Sequence, residues 1–120
     1  MRNVVLVGFK RSPFTIANKG LLAKVRPEDI LSQVINDLIK TTNINKDDIE
    51  DIIAGCAYPE GAQGYNIAKI VSFMTGMPEH VGGMTINRWC GSSMQAIHSA
   101  AGAISMNAGK VFICCGIESM

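Results

Sequence analysis

The chain has 120 residues, enough for one compact domain, and a formal net charge of +1 at pH 7, which gives no electrostatic case for nucleic acid or an acidic partner. Charged residues make up 18% of the sequence, below the usual quarter, so we expect much of the surface to be buried by this chain or another one. The amino terminus lacks a long apolar signal region, and no stretch is apolar enough to predict a membrane span.

The first half of the chain predicts two strands separated by one helix. A continuous apolar run at residues 4–7 is typical of a strand buried on both faces. A basic loop follows over residues 10–26, and a helix then begins at Pro27 and ends at residues 41–43. Residues 49–58 predict the second strand, with a turn-rich loop after it.

The second half continues the alternation. A helix is expected over about residues 65–75, and its inward side chains should be Ile67, Ile70, Val71 and Met74. A short strand at residues 81–88 leads into a helix that begins at Cys90 and ends near Gly109, a candidate C′ glycine. The last buried strand covers residues 111–115.

The predicted order, β-α-β-α-β-α-β, is typical of an α/β fold with a largely parallel or mixed sheet covered by helices. No linker or internal repeat divides residues 1–120. The chain stops just after a strand, so we expect residues 1–120 to be a partial, amino-terminal domain of a longer protein.

Cys90 is the candidate catalytic residue. It lies where a strand-like segment turns into a helix, and a helix start presents unpaired N–H groups and the positive end of the helix dipole. That field favours the thiolate, which is the nucleophilic form of cysteine. No Asp, Glu, Lys or Arg occurs from Trp89 through Gly109, so we expect this helix to be buried.

The other candidates have simpler interpretations. Cys56, Cys114 and Cys115 lie in apolar strands and are expected to pack in the core, and no cysteine or histidine spacing predicts a metal site. Nothing argues for disulfides, so a reducing, cytoplasmic location is expected. His98 is about 12 Å of helix rise from Cys90, too far to act as its base, and should be a buried, hydrogen-bonded histidine.

Four motifs carry a resemblance to one family. The longest surrounds Cys90 and reads Asn87-Arg88-Trp89-Cys90-Gly91-Ser92-Ser93-Met94-Gln95-Ala96. The others are Arg11-Ser12-Pro13-Phe14, then Glu60-Gly61-Ala62-Gln63-Gly64-Tyr65-Asn66-Ile67-Ala68-Lys69, and finally Gly116-Ile117-Glu118-Ser119-Met120. In this order and spacing they resemble the amino-terminal part of thiolases, although Lys69 and Cys115 replace a common Arg and Gly.

The resemblance implies the amino-terminal half of an αβαβα sandwich and an acyltransferase that uses coenzyme A as co-substrate, with no tightly bound cofactor. In thiolases the cysteine matching Cys90 attacks the 3-keto carbon of a 3-ketoacyl-CoA and holds an acyl-enzyme until a second CoA accepts the acyl group. The family also implies a homodimer or homotetramer for the complete protein and a role in fatty-acid breakdown.

Two further parts of the thiolase site are absent from these 120 residues. The family takes an activating His from a Gly-His-Pro segment and an acid/base Cys from a Cys-x-Gly-x-Gly segment, and neither motif occurs here. We therefore expect the isolated chain to be inactive. The alternatives are a biosynthetic acetoacetyl-CoA thiolase and a non-catalytic half-domain that assembles with a partner chain.

Overall fold

A three-stranded parallel sheet organises the chain. The computed structural model describes residues 2–120 and has strands β1 (Ile49–Gly55), β2 (Gly82–Ile86) and β3 (Val111–Gly116). Their order is β2-β1-β3, so β1 is central and pairs in parallel with both neighbours. The α/β fold class predicted from the alternation of elements is confirmed.

The three strands end at the same level. Gly55, the last residue of β1, lies opposite Ile86 of β2 and Gly116 of β3. The segments that leave the strands therefore meet at one edge of the sheet. This carboxyl edge is where ligands bind in open α/β sheets.

Three helices cover the two faces of the sheet: α1 (Pro27–Thr42), α2 (Ile67–Met74) and α3 (Ser92–Ser105). The β1–α2–β2 connection and the β2–α3–β3 connection move across the sheet in opposite directions. Parallel crossovers are right-handed almost without exception, so two opposite moves put their helices on opposite faces. Accordingly, α1 and α2 contact each other on one face, and α3 packs against β1 and β3 on the other.

Helix α1 begins and ends where its sequence predicts. Pro27 occupies the first turn, where no backbone N–H is needed, and Glu28 and Asp29 complement the positive end of the dipole. Asn43 ends the helix in the left-handed conformation with φ 54°.

Helix α2 is shorter than predicted and presents a different face to the core. Asn66 caps it by accepting the Lys69 N–H at 3.4 Å. Ile67 and Val71 are buried as expected, but Ile70 and Met74 are exposed. The inward stripe is completed by small residues instead, because the helix lies so close to β2 that a Cβ on Gly83 would be 2.5 Å from the Lys69 backbone.

The core has a larger and a smaller part. The larger part lies on the α1 and α2 side and contains Leu31, Ile35, Ile49, Ile52, Ala54, Cys56, Ile67, Ala68, Val71, Met77, Val81, Ile113 and Ile117. The smaller part lies under α3 and contains Ile53, Ala96 and Ala100, with Ile86, Phe112 and Cys114 packed against it.

The predicted strand at residues 4–7 is wrong. These residues form no strand in the structure, and Val5 and Leu6 are 74% and 77% exposed. An apolar run reports that a segment tends to be buried, but a strand also needs a neighbouring edge to pair with. Within residues 2–120 the segment finds none and instead runs beside α1, where Lys10 forms an ion pair with Asp37 at 2.8 Å.

Helix α3 also differs from its prediction. It is not buried all round: Ala96 and Ala100 face the sheet, whereas Met94 and Ile97 are exposed on the opposite side. It ends at Ser105 rather than near Gly109, and Asn107 takes the left-handed position with φ 63°. Asn tolerates that conformation well, so no glycine is required.

A core substitution tests this architecture. Replacing the buried Ile52 with Ala should lower the free energy of unfolding by about 3 kcal/mol, because it removes core methyl groups and leaves a cavity. The same change at Ile16, which is 77% exposed, should alter it by less than about 0.5 kcal/mol. Urea unfolding followed by circular dichroism measures both, and equal effects would contradict the assigned core.

Candidate active site

Cys90 lies on the turn between β2 and α3, at the carboxyl edge of the sheet. A short 3₁₀ turn, Trp89–Gly91, precedes α3, and Cys90 is its central residue. The Cys90 side chain is exposed, as are its neighbours Arg88 and Trp89. A thiol at the start of a helix and open to solvent is accessible to a substrate.

Side chains and backbone hold this turn in an unusual conformation. Trp89 has φ 49°, the left-handed region that large side chains rarely adopt. The Trp89 N–H donates to Asn87 Oδ1 at 2.9 Å, and the Gly91 N–H donates to the Arg88 carbonyl at 3.0 Å. Ser92 Oγ accepts the Arg88 N–H at 2.9 Å and donates to the Trp89 carbonyl at 2.6 Å.

The first turn of α3 lies directly on the ends of two strands. A Cβ on Gly55 would stand 2.4 Å from the Ser92 carbonyl carbon, and a Cβ on Gly116 would stand 2.0 Å from Ser93 Oγ. Atoms do not approach so closely, and because the atoms near Gly55 are backbone, only glycine allows the helix to start there. At Gly116 the contact is with a hydroxyl that can rotate away, so Gly55 sets the height of the Cys90 turn above the sheet.

Adding one methyl group at Gly55 should displace this turn. Gly55→Ala would force the start of α3 away from β1 and should destabilise the protein by about 1–3 kcal/mol. Gly102→Ala is the matched control, because a Cβ at Gly102 meets nothing within 4 Å. Thermal melts compare the two variants, and a Gly55→Ala protein as stable as the control would contradict the close approach.

A second group of side chains lies at the same edge. The Glu118 carboxylate accepts the Ala57 N–H at 2.7 Å and the Tyr58 N–H at 3.2 Å, both just beyond β1. Gln63 is 3% exposed; its Nε2 donates to Glu118 Oε1 at 2.9 Å and its Oε1 accepts the Ser119 N–H at 2.9 Å. This group ties the end of β1 to the segment after β3.

In the sequence, Gln63 and Glu118 stand only within motifs, with no role that local spacing indicates. The predicted turn-rich loop after β1 is confirmed, because Gly61–Gln63 forms a 3₁₀ turn. The missed signal is chemical: a glutamine between glycines has donors and an acceptor to satisfy, and burial there requires partners. One partner, the Tyr58 carbonyl, lies five residues away, but Glu118 and Ser119 lie 55 and 56 residues along the chain, so local spacing could not identify them.

The remaining cysteines pack in the core, as predicted. Cys56 belongs to the larger core, and Cys114 and Cys115 pack against its two parts. Burial raises the pKa of Cys115 to about 12. Burial also raises the pKa of Cys56, with a further contribution from the Glu118 carboxylate, and it raises the pKa of Cys114, where the Asp51 charge adds to it.

These differences predict selective alkylation. At about pH 8 a thiol with a raised pKa holds little thiolate, so iodoacetamide should modify the exposed Cys90 well before Cys56, Cys114 or Cys115. Peptide mass spectrometry over time measures each site. Cys90→Ser should remove the fast phase, and early modification of Cys115 would contradict the arrangement.

The structure also places the other residues considered in the sequence. His98 is exposed on α3, so the predicted buried histidine is wrong; the sheet-facing side of α3 is filled by alanines and leaves it no place. Ser92 Oγ stabilises the turn before α3, and Gly91 is the N-cap residue of the helix. Within residues 2–120, no three His, Cys, Asp or Glu side chains come together as ligands for a metal ion.

The fold and the Cys90 turn together define the class of protein: it is an α/β protein with an exposed cysteine at a strand-to-helix turn on the carboxyl edge of a parallel sheet. Residues 4–120 match the family described as thiolase, N-terminal domain. The chain belongs to the thiolase family. None of the helices described in residues 2–120 has the length and apolar composition needed to cross a membrane.

Individual relatives agree with this assignment. The chain is 40% identical to the 3-ketoacyl-CoA thiolase of Aeromonas salmonicida and 39% identical to that of Colwellia psychrerythraea, with 100% of the chain aligned in both. A solved structure, the acetyl-CoA acetyltransferase of Bacillus anthracis, matches 99% of the chain with a TM-score of 0.91 and 31% identity. The chain spans 31% of the length of those two thiolases and 30% of the solved chain.

Proposed function

We propose that this chain is the amino-terminal part of a thiolase in which Cys90 carries the acyl group. One observation supports the proposal most directly: in a chain of this family, Cys90 lies exposed on the turn that begins α3. The proposed substrates are a 3-ketoacyl-CoA and CoA, and the proposed products are acetyl-CoA and an acyl-CoA shortened by two carbons.

In the proposed reaction the Cys90 thiolate attacks the 3-keto carbon and forms a carbon–sulfur bond. The bond between carbons 2 and 3 then breaks, and its electron pair stays on carbon 2 of the departing acetyl-CoA, which takes up a proton. The sulfur of a second CoA attacks the thioester carbonyl, and Cys90 leaves as thiolate. Covalent catalysis of this kind divides one difficult cleavage into two easier steps.

The backbone around Cys90 suits the charge that develops in these steps. Attack on a carbonyl places negative charge on its oxygen, and backbone N–H groups at a helix start can donate to it. In thiolases, which this chain resembles, the backbone N–H of the nucleophilic cysteine is itself one of these donors. The left-handed Trp89 directs the chain so that Cys90 sits at the beginning of α3 rather than within β2.

The proposal assigns proton transfer to residues outside these 120. His98 lies two turns of helix beyond Cys90 and is exposed, so it is not placed to activate the thiol. We therefore propose that residues 1–120 alone do not catalyse thiolysis and that the complete protein supplies the activating histidine and the acid/base cysteine. Clear turnover by the isolated chain would contradict this part of the proposal.

The central test is Cys90→Ser in the complete protein. The rate of 3-ketoacyl-CoA thiolysis, measured as the decrease in substrate absorbance, should fall by about 10³-fold or more, because the acyl acceptor is lost. Cys114→Ser, which changes a thiol at the sheet and α3 contact, should keep most activity. Mass spectrometry after brief exposure to substrate should find the acyl group on Cys90, and an acyl group elsewhere would refute the proposal.

A biosynthetic thiolase acting on acetoacetyl-CoA is the second candidate. The likeness to an acetyl-CoA acetyltransferase structure favours it, although the sequence identity is higher to proteins named 3-ketoacyl-CoA thiolase. Comparing kcat/KM for acetoacetyl-CoA with that for a longer 3-ketoacyl-CoA separates the two. If neither substrate is cleaved and Cys90 is never acylated, the non-catalytic half-domain becomes the better interpretation.

A further inference from the structure

A chain of hydrogen-bonded amide groups connects Glu118 with the turn that carries Cys90. Glu118 Oε1 accepts the Tyr58 N–H at 3.2 Å. The carbonyl of that same peptide unit, Ala57 O, accepts Asn87 Nδ2 at 3.0 Å. The other end of the Asn87 side-chain amide, Oδ1, accepts the Trp89 N–H at 2.9 Å.

The connection continues through the turn itself. The peptide unit that contains the Trp89 N–H has the Arg88 carbonyl at its other end, and this carbonyl accepts the Gly91 N–H at 3.0 Å. The Gly91 N–H in turn belongs to the peptide unit that contains the Cys90 carbonyl. Four amide units, running from Ala57-Tyr58 through Asn87 to Cys90-Gly91, thus form one series, which we call the amide relay.

Every unit of the amide relay donates toward Glu118, and the first three accept from the side of Cys90. Their dipoles therefore point the same way, with a carboxylate at the accepting end. Hydrogen bonds in such a series strengthen one another, and a charged acceptor makes the first bond stronger than a neutral one. A change at Glu118 should therefore weaken bonds several units away.

Glu118 is itself held independently of the relay. The Ile117 N–H donates to the Gly55 carbonyl at 3.0 Å, and the Ser119 N–H donates to Gln63 Oε1 at 2.9 Å. The second carboxylate oxygen accepts the Ala57 N–H at 2.7 Å. Backbone and side chain are thus fixed on both sides, so the carboxylate is a firm anchor for the relay.

The turn needs such support because of Trp89. A left-handed tryptophan costs free energy and persists only where its surroundings determine it. The bond from its N–H to Asn87 does this directly, and the bond from Asn87 to Ala57 fixes the orientation of the Asn87 amide. If Trp89 relaxed, the backbone of Cys90 would rotate and move both the sulfur and the N–H.

We infer that Glu118 and Asn87 are positioning residues for Cys90, acting through the amide relay rather than by touching the substrate. This inference rests on the proposed function of Cys90 in thiolysis. It assigns a role to the Glu118 carboxylate that does not depend on proton transfer. It also explains why the segment after β3 lies against the loop after β1 at this edge.

Two substitutions in the complete protein alter the relay at different points. Glu118→Gln removes the negative charge from the accepting end and leaves one acceptor oxygen for three donors, the Ala57 N–H, the Tyr58 N–H and Gln63 Nε2, so the bond that begins the relay is weakened. Asn87→Ala removes both the acceptor for the Trp89 N–H and the donor to the Ala57 carbonyl. Each should lower kcat by about 10- to 100-fold with KM unchanged, because the reacting sulfur is misplaced while substrate binding remains.

Amide exchange measured by NMR supplies a readout that activity does not influence. Each substitution should speed exchange at the Trp89 and Gly91 N–H groups by about tenfold, the effect of losing roughly one hydrogen bond. A purely local role of Glu118 would change only the Ala57 and Tyr58 amides. Glu60→Gln is the matched control, since it removes the same charge from the neighbouring loop after β1, where the Glu60 side chain makes no capping hydrogen bond.

The double variant decides whether the two residues act together. If they belong to one relay, Glu118→Gln with Asn87→Ala should lose no more kcat than the worse single variant. Losses that multiply would overturn the inference, as would wild-type kcat and wild-type Trp89 exchange in Asn87→Ala. Asn87 is exposed, so this variant carries the test even if Glu118→Gln fails to fold.

Failure of the proposed function looks different. In that case the unaltered complete protein shows no thiolysis and Cys90→Ser changes nothing. The exchange of the Trp89 and Gly91 amides would still respond to Glu118→Gln if the relay exists, and would not respond if it does not.

Discussion

The close contact between the first turn of α3 and the sheet is the constraint on which the candidate site depends. Two glycines, Gly55 and Gly116, end neighbouring strands and leave room for the backbone of Ser92 and the side chain of Ser93. Since the strands end level, this contact sets the position of the helix start along and above the sheet. Cys90, two residues earlier, is carried to the edge by that contact.

Local sequence signals correctly predicted the features that depend on neighbouring residues, such as the ends of a helix. The Pro27 start and Asn43 end of α1 follow from backbone and dipole preferences, and the strand-to-helix change around Cys90 follows from composition and motif. The strand predicted at residues 4–7 failed because its apolar side chains indicate burial but say nothing about a pairing partner. His98 failed for a similar reason: an uncharged helix was assumed to be enclosed, whereas only one side of α3 meets the sheet.

The candidate site was predictable in part. The residue types around Cys90 identified its family and its place on the chain, but not the support beneath it. Glu118, Gln63 and Asn87 each bond at least one partner far away in sequence, and side-chain spacing within one element cannot reveal such pairs. The sequence therefore did not predict the hydrogen bonds that support the Cys90 turn, because these form only once β1 pairs with β3.

The level strand ends have a consequence for how the site matures. The contacts that shape the Cys90 turn join residues 30 and 61 positions apart, from Ala57 to Asn87 and from Ala57 to Glu118. Contacts of such long range form slowly, because loop closure must precede them. On a ribosome Glu118 emerges after every other residue of the turn. During synthesis, Cys90 therefore leaves the ribosome before Glu118 is available to support its turn.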